Sequence, residues 1–492
     1  MKRNILTLIS IFSFVLFSFS QELISKDELR LKSNLSERRE SIPIVNSLSN
    51  ELSLFIADRK DIYFNKYNSG FEIIDQQKFE RPKSKAKNIL EKVNSGENKY
   101  LFLLSDDSKK KMELIKINTK KAKIELITTT ILSEKERFLK AFTYKNQIFI
   151  LAIPKKTSIL NINKIKPIGE KETLTYDLTN EEFFDKYDKI TSLYKSFLIS
   201  QGGISKAIFD TEYIEEGIPN SLEVTSKPIK LYRRDNSIIV TLDVGNKYTQ
   251  VLTLNLDTVN YKISNIKKPV LQDINKTNKA FIKSNSFLSR NRLYQIIGIR
   301  GQMKFKATDL TSNEIIKEIA LGRKDTITFK NTPIIQEGAM YNGYREMEKT
   351  QKFLRKIASG KIGVSAHYIK DTIQLTLGGV KEIRGGGAPM VGFGFGAVGG
   401  AAFGVANAFA TPTYYAYASY ASTISTRIHC LFDEQMSHLE GEVPTNAFDK
   451  IKDFSEDIYN EKAETVFKFN GYYVYGYYDS LLHKYFLRKF ED

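Results

Sequence analysis

Tryptophan is absent from the 492 residues, cysteine occurs once, at Cys430, and histidine occurs four times, at His367, His429, His438 and His483. A single cysteine excludes an intramolecular disulfide framework, and the residue after the predicted leader cut is Gln21 rather than cysteine, which excludes a lipid anchor there. None of the histidines stands in an H-E-x-x-H pair, and no D-x-[DN]-x-[DN]-G calcium loop occurs. His429 and Cys430 are neighbours, but neighbours on a strand point to opposite faces, so they do not form a nucleophile and base. Asp433 and His438 would join His429 at a metal only through a turn that brought all three together. The carboxylate pairs Asp106-Asp107, Glu181-Glu182 and Glu215-Glu216 fall in turns or at an expected helix start, where solvation and the helix dipole account for them. No catalytic residue, metal site or cofactor is expected from these patterns.

Charge is unevenly supplied. Lysine and arginine number 74 against 57 acidic residues, a formal +17, and arginine provides only 18 of the 74. Nucleic-acid recognition favours arginine clusters interleaved with aromatics, and none is present, so the basic balance points to anionic surfaces such as lipid phosphates or polyanionic glycans, or to composition alone.

Residues 1–20 read as a secretion signal: Lys2 and Arg3, an apolar run from Ile5 to Phe19, and small Ser18 and Ser20 before a cut at Gln21. The run is shorter than the roughly 20 residues of a spanning helix, so no membrane span is expected after cleavage, and the address is periplasmic or extracellular. Residues 21–50 form a polar lead-in with some helical character.

From 51 to 492 the chain repeats one unit, short alternating apolar runs separated by polar turns. Arg292 to Ile299, Gln302 to Thr308 and Asn313 to Ala320 show it as a three-stranded meander. Equivalent strands begin near 51, 99, 147, 237 and 292, steps of 48, 48, 90 and 55, the long step being close to two units. That period is the size of a propeller blade, about 40 to 55 residues, so the expected fold is all-β, a single β-propeller-like domain of about seven blades with short inserted helices. Tandem β-sandwich modules are the alternative, with boundaries at intervals of about 100 residues. With no tryptophan, the WD, kelch and Asp-box signatures are all missing. The C-terminal strands, including Leu481 to Phe490, are expected beside the N-terminal blade, closing the ring.

Helical spacing interrupts the pattern in three places. Phe183, Tyr187, Ile190, Tyr194 and Phe197 predict a helix over 180–199, introduced by a Thr179/Glu182 capping box; shorter helices are predicted over 345–358 and 447–459. Two dense tyrosine groups follow: Tyr414, Tyr415, Tyr417 and Tyr420 on an expected strand from Thr413, and Tyr472, Tyr473, Tyr475, Tyr477 and Tyr478. They read as strand residues or as stacking surfaces for a carbohydrate.

Forty-two consecutive residues, 385–426, carry no charge. The Gly-rich part, 385–412, alternates Val391, Phe393, Phe395 and Ala397 with Gly392, Gly394 and Gly396. It is too rich in glycine for a stable spanning helix. It reads as an insertion between blade strands that docks on a protein or envelope surface, with Phe393, Phe395, Phe403 and Phe409 as candidate partner contacts.

The segment FLRKIASGKIGVSAHYIKDTIQLTLGGVKEIRGGGAPM, Phe353 to Met390, resembles one in uncharacterised secreted bacterial proteins of similar length with a β-propeller-like repeat. The resemblance implies export and the Gly-rich insertion, and brings no activity or site with it. The expected function is an exported, non-catalytic binding or scaffold propeller that contacts an envelope component or a protein partner. The alternative is a hydrolase or lyase acting on an envelope glycan in the central channel.

Overall fold

One hairpin geometry recurs along the chain. Between the first and second strands of each repeat the backbone turns through a residue at positive φ: Asn50, Asn98, Lys145 and Asn146, Asp235, Arg290, Lys370, and Asn470. Lys145-Asn146 and Asn470-Gly471 carry positive φ at both central residues, the type I′ turn whose twist matches that of the flanking strands. The computed structural model describes residues 21–31, 39–86, 88–199, 208–209, 211–272, 282–338, 343–381, 412–458 and 461–492.

These hairpins build seven antiparallel sheets of four or five strands. Blade one is Glu40–Asn46, Glu51–Ala57, Asp61–Tyr67 and Ile73–Glu80. Blade two is Asn88–Gly96, Lys99–Ser105, Met112–Asn118 and Lys123–Thr129, and blade three is Glu136–Tyr144, Gln147–Pro154, Ile159–Ile165 and Lys171–Asp177. Blade four is Ile229–Arg234, Ser237–Leu242, Tyr248–Asn255 and Tyr261–Lys267, with Thr211–Ile214 added in parallel at its inner edge. Blade five is Lys283–Ser289, Arg292–Ile299, Gln302–Asp309 and Ile315–Gly322. Blade six runs outward as Lys361–Ile369, Thr372–Val380, Ser425–Phe432, Ile334–Glu337 and Arg345–Met347. Blade seven is Glu461–Phe469, Tyr472–Asp479 and Lys484–Phe490, completed at its outer edge by Gln21–Glu28. The fold is a seven-bladed β-propeller, not a string of sandwiches.

Period-two patterning explains why the blades stack. In Lys99–Ser105, Tyr100, Phe102 and Leu104 face blade one, and Leu101 and Leu103 face blade three, so the strand is buried on both sides. In Glu51–Ala57, Leu52, Leu54 and Ile56 pack on blade seven, and Phe55 and Ala57 on blade two. The outer strand Lys123–Thr129 has no fully buried residue, as an edge requires. Phe55 lies 4.9 Å from Phe64, 5.0 Å from Tyr100 and 5.0 Å from Phe102 between ring centroids. Phe55→Leu is expected to cost about 1.5 kcal/mol through these lost ring contacts, read as a lower denaturant midpoint with an unchanged slope.

Five helices lie among the described residues: α1 (Leu193–Phe197), α2 (Leu222–Thr225), α3 (Thr350–Ala358), α4 (Pro412–Ala421) and α5 (Ala447–Glu456). Several expectations change. The lead-in contributes two strands, Gln21–Glu28 and Glu40–Asn46, and no described part of it is helical. The helix over 180–199 is replaced by a small hairpin, Phe183–Phe184 with Ile190–Thr191, and the five-residue α1. Asp185 Oδ1 accepts from the N–H groups of Tyr187 and Lys189, and Asp188 sits at φ 61, so side-chain-to-backbone bonds turn the chain where a helix would have to continue. In 345–358 only Thr350–Ala358 is helical, and Arg345–Met347 is a strand. The tyrosine-rich segment from Thr413 is helix α4 rather than a strand. The C-terminal strands do lie against the N-terminal ones: Lys484–Phe490 pairs with Gln21–Glu28, and Ser41 and Tyr485 share a hydrogen bond of 2.5 Å across blades one and seven. Helices α4 and α5 pack together on blade seven, with Tyr417 and Phe448 against Tyr473 and Tyr475.

Candidate functional site: the capped channel

Successive antiparallel strands reverse direction, so the links between blades and those from second to third strands all lie at the end of the ring opposite the first hairpin turns. Two long connections leave from that end: 178–228, between blades three and four, and 381–424, within blade six. Their described parts meet at the inner edge of blade four. Tyr415 Oη donates to Glu212 Oε2 at 3.0 Å, Thr413 Oγ1 donates to Glu215 Oε2 at 2.7 Å, and the Ser221 and Ser419 hydroxyls are 2.6 Å apart. Glu223 Oε1 accepts from Thr423 Oγ1 at 2.9 Å and from the Ile424 N–H at 2.5 Å. One strand and one helix from separate connections thus join at the inner edge of blade four and form a cap there.

Beneath the cap the innermost strands bring charges together: Glu91 and Lys92 from blade two, Lys140 from blade three, Glu212 and Glu215 from the added strand and the turn after it, and Lys468 from blade seven. Each carboxylate has its own donor. Glu91 Oε1 accepts from the Lys92 N–H at 3.0 Å, and Glu212 Oε1 from the Tyr213 N–H at 3.1 Å. Lys140 Nζ stands 5.0 Å over the Tyr213 ring, and Lys468 Nζ donates to the Gly217 carbonyl at 2.7 Å. Burial pushes the Glu91 carboxyl up against the opposing pull of Lys92 and Lys140. It pushes Glu212 up against Lys227 and Lys140, and Glu215 up against Thr413, Lys468 and Lys92. The same desolvation pushes the Lys92, Lys140 and Lys109 ammoniums down, Lys109 further by its proximity to Lys140. Desolvation therefore disfavours the charged form of both signs, and a bound charge of either sign would shift them.

A second ionic group is structural. Asp243 lies with Lys230 at 3.2 Å and Lys268 at 3.5 Å between blades four and five, all three buried. Thr249, Ser286 and Asn285 complete their hydrogen bonds.

The residues weighed in the sequence divide differently. Phe393, Phe395, Phe403 and Phe409, with the Gly-rich insertion up to 411, lie outside the described residues. His429 Nε2 accepts from Arg427 Nε at 3.0 Å and its Nδ1 is 2.9 Å from Thr376 Oγ1; burial and the Arg427 charge push its imidazole down to about 3. Cys430 points the other way into the apolar core of blades five and six, and burial pushes its thiol up. His438 bonds Asn331 rather than His429 or Asp433. Glu215 and Glu216 do not act as a pair: Glu215 enters the channel, whereas Glu216 forms a two-pronged contact with Arg234 at 2.6 and 2.5 Å. The two tyrosine groups come together, with Tyr417 6.3 Å from Tyr475, but as a buried wall rather than a stacking surface. Glu91, Lys92, Lys140 and Glu212 were missed. The available signal was charge inside apolar strands, such as Glu91-Lys92 between Leu90 and Val93.

Among the described residues no helix is long and apolar enough to cross a membrane, and no three His, Cys, Asp or Glu side chains gather as metal ligands. No family model matches the chain, and no curated protein matches it. Among solved structures it is similar to an ACO/RPE65 chimera in its trigonal crystal form, at 9% identity and TM-score 0.29 over 58% of this chain and 62% of that one. It is similar to a prolyl endopeptidase at 8% identity and TM-score 0.30, over 72% of this chain and 43% of that one. The Nup133 β-propeller domain of Vanderwaltozyma polyspora is similar at 9% identity and TM-score 0.28, over 74% and 87%. The chain thus spans less than two thirds of the first two, and likeness at this level says nothing of what the protein does.

Proposed function

We propose that this chain is an exported, non-catalytic binding propeller that contacts an acidic component of the cell envelope at the capped end of its channel. The observation that carries the reading is the charge balance there. Lys92, Lys109, Lys140, Lys227 and Lys468 stand around three carboxylates, Glu91, Glu212 and Glu215, in a chain of formal charge +17. Five lysines against three carboxylates leave an excess of basic groups, which draws ligands of the opposite charge, and partial burial strengthens each contact. The leader-like residues 1–20 support the address.

The test is calorimetric titration of the mature chain with uronate-bearing and phosphate-bearing oligosaccharides. The double variant K92Q/K140Q is expected to weaken binding by about two powers of ten, since a hydrogen bond to a charged group is worth about 1.5–3 kcal/mol, and the remaining affinity should depend less on salt. Unchanged affinity in that variant sinks the channel as the site. The carboxyls of Glu91, Glu212 and Glu215, raised by burial, favour a second reading, a hydrolase or lyase acting on an envelope glycan, because a carboxyl whose protonated form is favoured is the kind of group that serves as a general acid. Release of shorter saccharides that stops in E212Q or E215Q selects that reading.

A further inference from the structure

The uncharged stretch 385–426 contains α4, and α4 sits on acidic groups. Its Thr413 and Tyr415 reach Glu215 and Glu212, and Tyr420 Oη donates to Asp449 at 2.7 Å. Its Tyr414 and Tyr417 lie against the first two strands of blade seven, where Tyr475 Oη donates to Glu464 Oε2 at 3.1 Å. The carboxylates under this helix are not alike. Glu212 and Glu215 face Lys140, Lys227, Lys92 and Lys468, which offset their ionisation.

Glu464 faces Glu461 and exposed Lys462 on its own strand, Tyr475 and Tyr485 from the next two strands, and Tyr414 and Tyr417 from α4. Glu456 of α5 adds a further negative charge beside Tyr417. An uncharged helix brings no cation, so an ionised Glu464 beneath it lacks compensation from that side.

Resting on the channel as the binding site, we propose that α4 is a proton-linked plug of that channel, seated while Glu464 is protonated and loosened when Glu464 ionises beneath it. Burial first, then Glu461, push the Glu464 carboxyl up to about 7, against the Tyr475 hydrogen bond and Lys462. Because the folded value lies above the ordinary 4.5, the stabilisation is complete below about 4.5 and is lost as pH rises through about 7. A chain without charged side chains suits this role, since it can cover lysines and carboxylates alike without fixing the plug by an ion pair.

Hydrogen exchange on the full chain at pH 5.5 and 8.0, corrected for intrinsic rates, tests this without any ligand. Protection of the backbone at 412–421 should fall about tenfold at the higher pH, while 99–105 in blade two keeps its protection at both. In E464Q the difference at 412–421 should vanish. Equal protection at both pH values in the native chain overturns the plug, and so does a difference that persists in E464Q. Should E464Q fail to fold, the native chain still decides, because its own pH response is required. Unchanged oligosaccharide affinity in K92Q/K140Q, with the pH response of 412–421 intact, overturns the channel reading alone and leaves the proton-linked loosening of α4 standing.

Discussion

Removing residues 481–492 is expected to unfold the chain cooperatively at room temperature rather than fray one edge. The deletion takes away Lys484–Phe490, which pairs with Tyr472–Asp479 on one side and with Gln21–Glu28 on the other. Its Tyr485, Phe486, Leu487 and Phe490 are buried, Tyr485 and Leu487 toward blade one and Phe486 and Phe490 toward α5. At about 1.5–3 kcal/mol for each buried large side chain the loss is about 6–12 kcal/mol, comparable with the whole stability of a typical domain, about 5–15 kcal/mol. A ring cannot confine that loss, because opening the seam exposes blade one as well. Circular dichroism should show no cooperative melt. Deleting 21–28 instead removes an outer strand with no buried residue and should lower the melting temperature without abolishing the transition. A chain lacking 481–492 that melts as the full chain does would disprove closure through this strand.

The second large effect is expected at Asp243. Asp243→Ala takes from the buried Lys230 and Lys268 the carboxylate they share, and breaking a buried ionic group from one side costs about 3–5 kcal/mol. Burial alone would raise the Asp243 carboxyl, but Lys230 and Lys268, with Ser286 and Thr249, hold it below its ordinary 3.8. A depressed folded value means that the stabilisation is present above the unfolded value and is lost as pH falls through the folded one. Native protein should therefore weaken in strong acid, and D243A should show less of that acid dependence. The triple change Lys230→Met, Asp243→Leu, Lys268→Met should recover part of the loss, because it removes all three charges together while leaving Thr249, Ser286 and Asn285 without those partners. If D243A keeps the native denaturant midpoint, the group is not the pin between blades four and five.

The same balance of local against long-range forces separates what could be read in the sequence from what could not. The hairpins were legible because their information is local. Runs such as Lys99–Ser105 and Gln302–Asp309 bounded by polar turns define strands, and the five periodic starts at 51, 99, 147, 237 and 292 are each the second strand of a blade. The step of 90 is not two units, however. Blades three and four are consecutive, and the inserted 178–228 stretches the interval between them. Seven blades emerge all the same, because the chain after blade five supplies two more, blade six around the connection 381–424 and blade seven completed by Gln21–Glu28.

Other features depended on contacts distant in sequence. Gln21–Glu28 is polar and reads as a lead-in, and it becomes a strand because Lys484–Phe490 offers an unpaired edge. The stripe from Phe183 to Phe197 has helical spacing, yet Tyr187 and Ile190 end up 62% and 66% exposed, and Asp188 instead accepts from the backbone of Asn246 and Lys247 in blade four. Alternating small and aromatic residues from Thr413 suit a strand, but burial against blade seven favours the helix α4, whose Tyr414 and Tyr417 both face inward three residues apart. The channel cluster was least visible, because charges at 91, 140, 212 and 468 share no pattern along the chain. The sequence by itself determined the strands, the turns and the blade repeat, since alternation and turn chemistry act over a few residues. Only the tertiary structure decided which strand closes the ring, which segment caps it and which charges meet inside, because each of those depends on burial between residues tens to hundreds of positions apart.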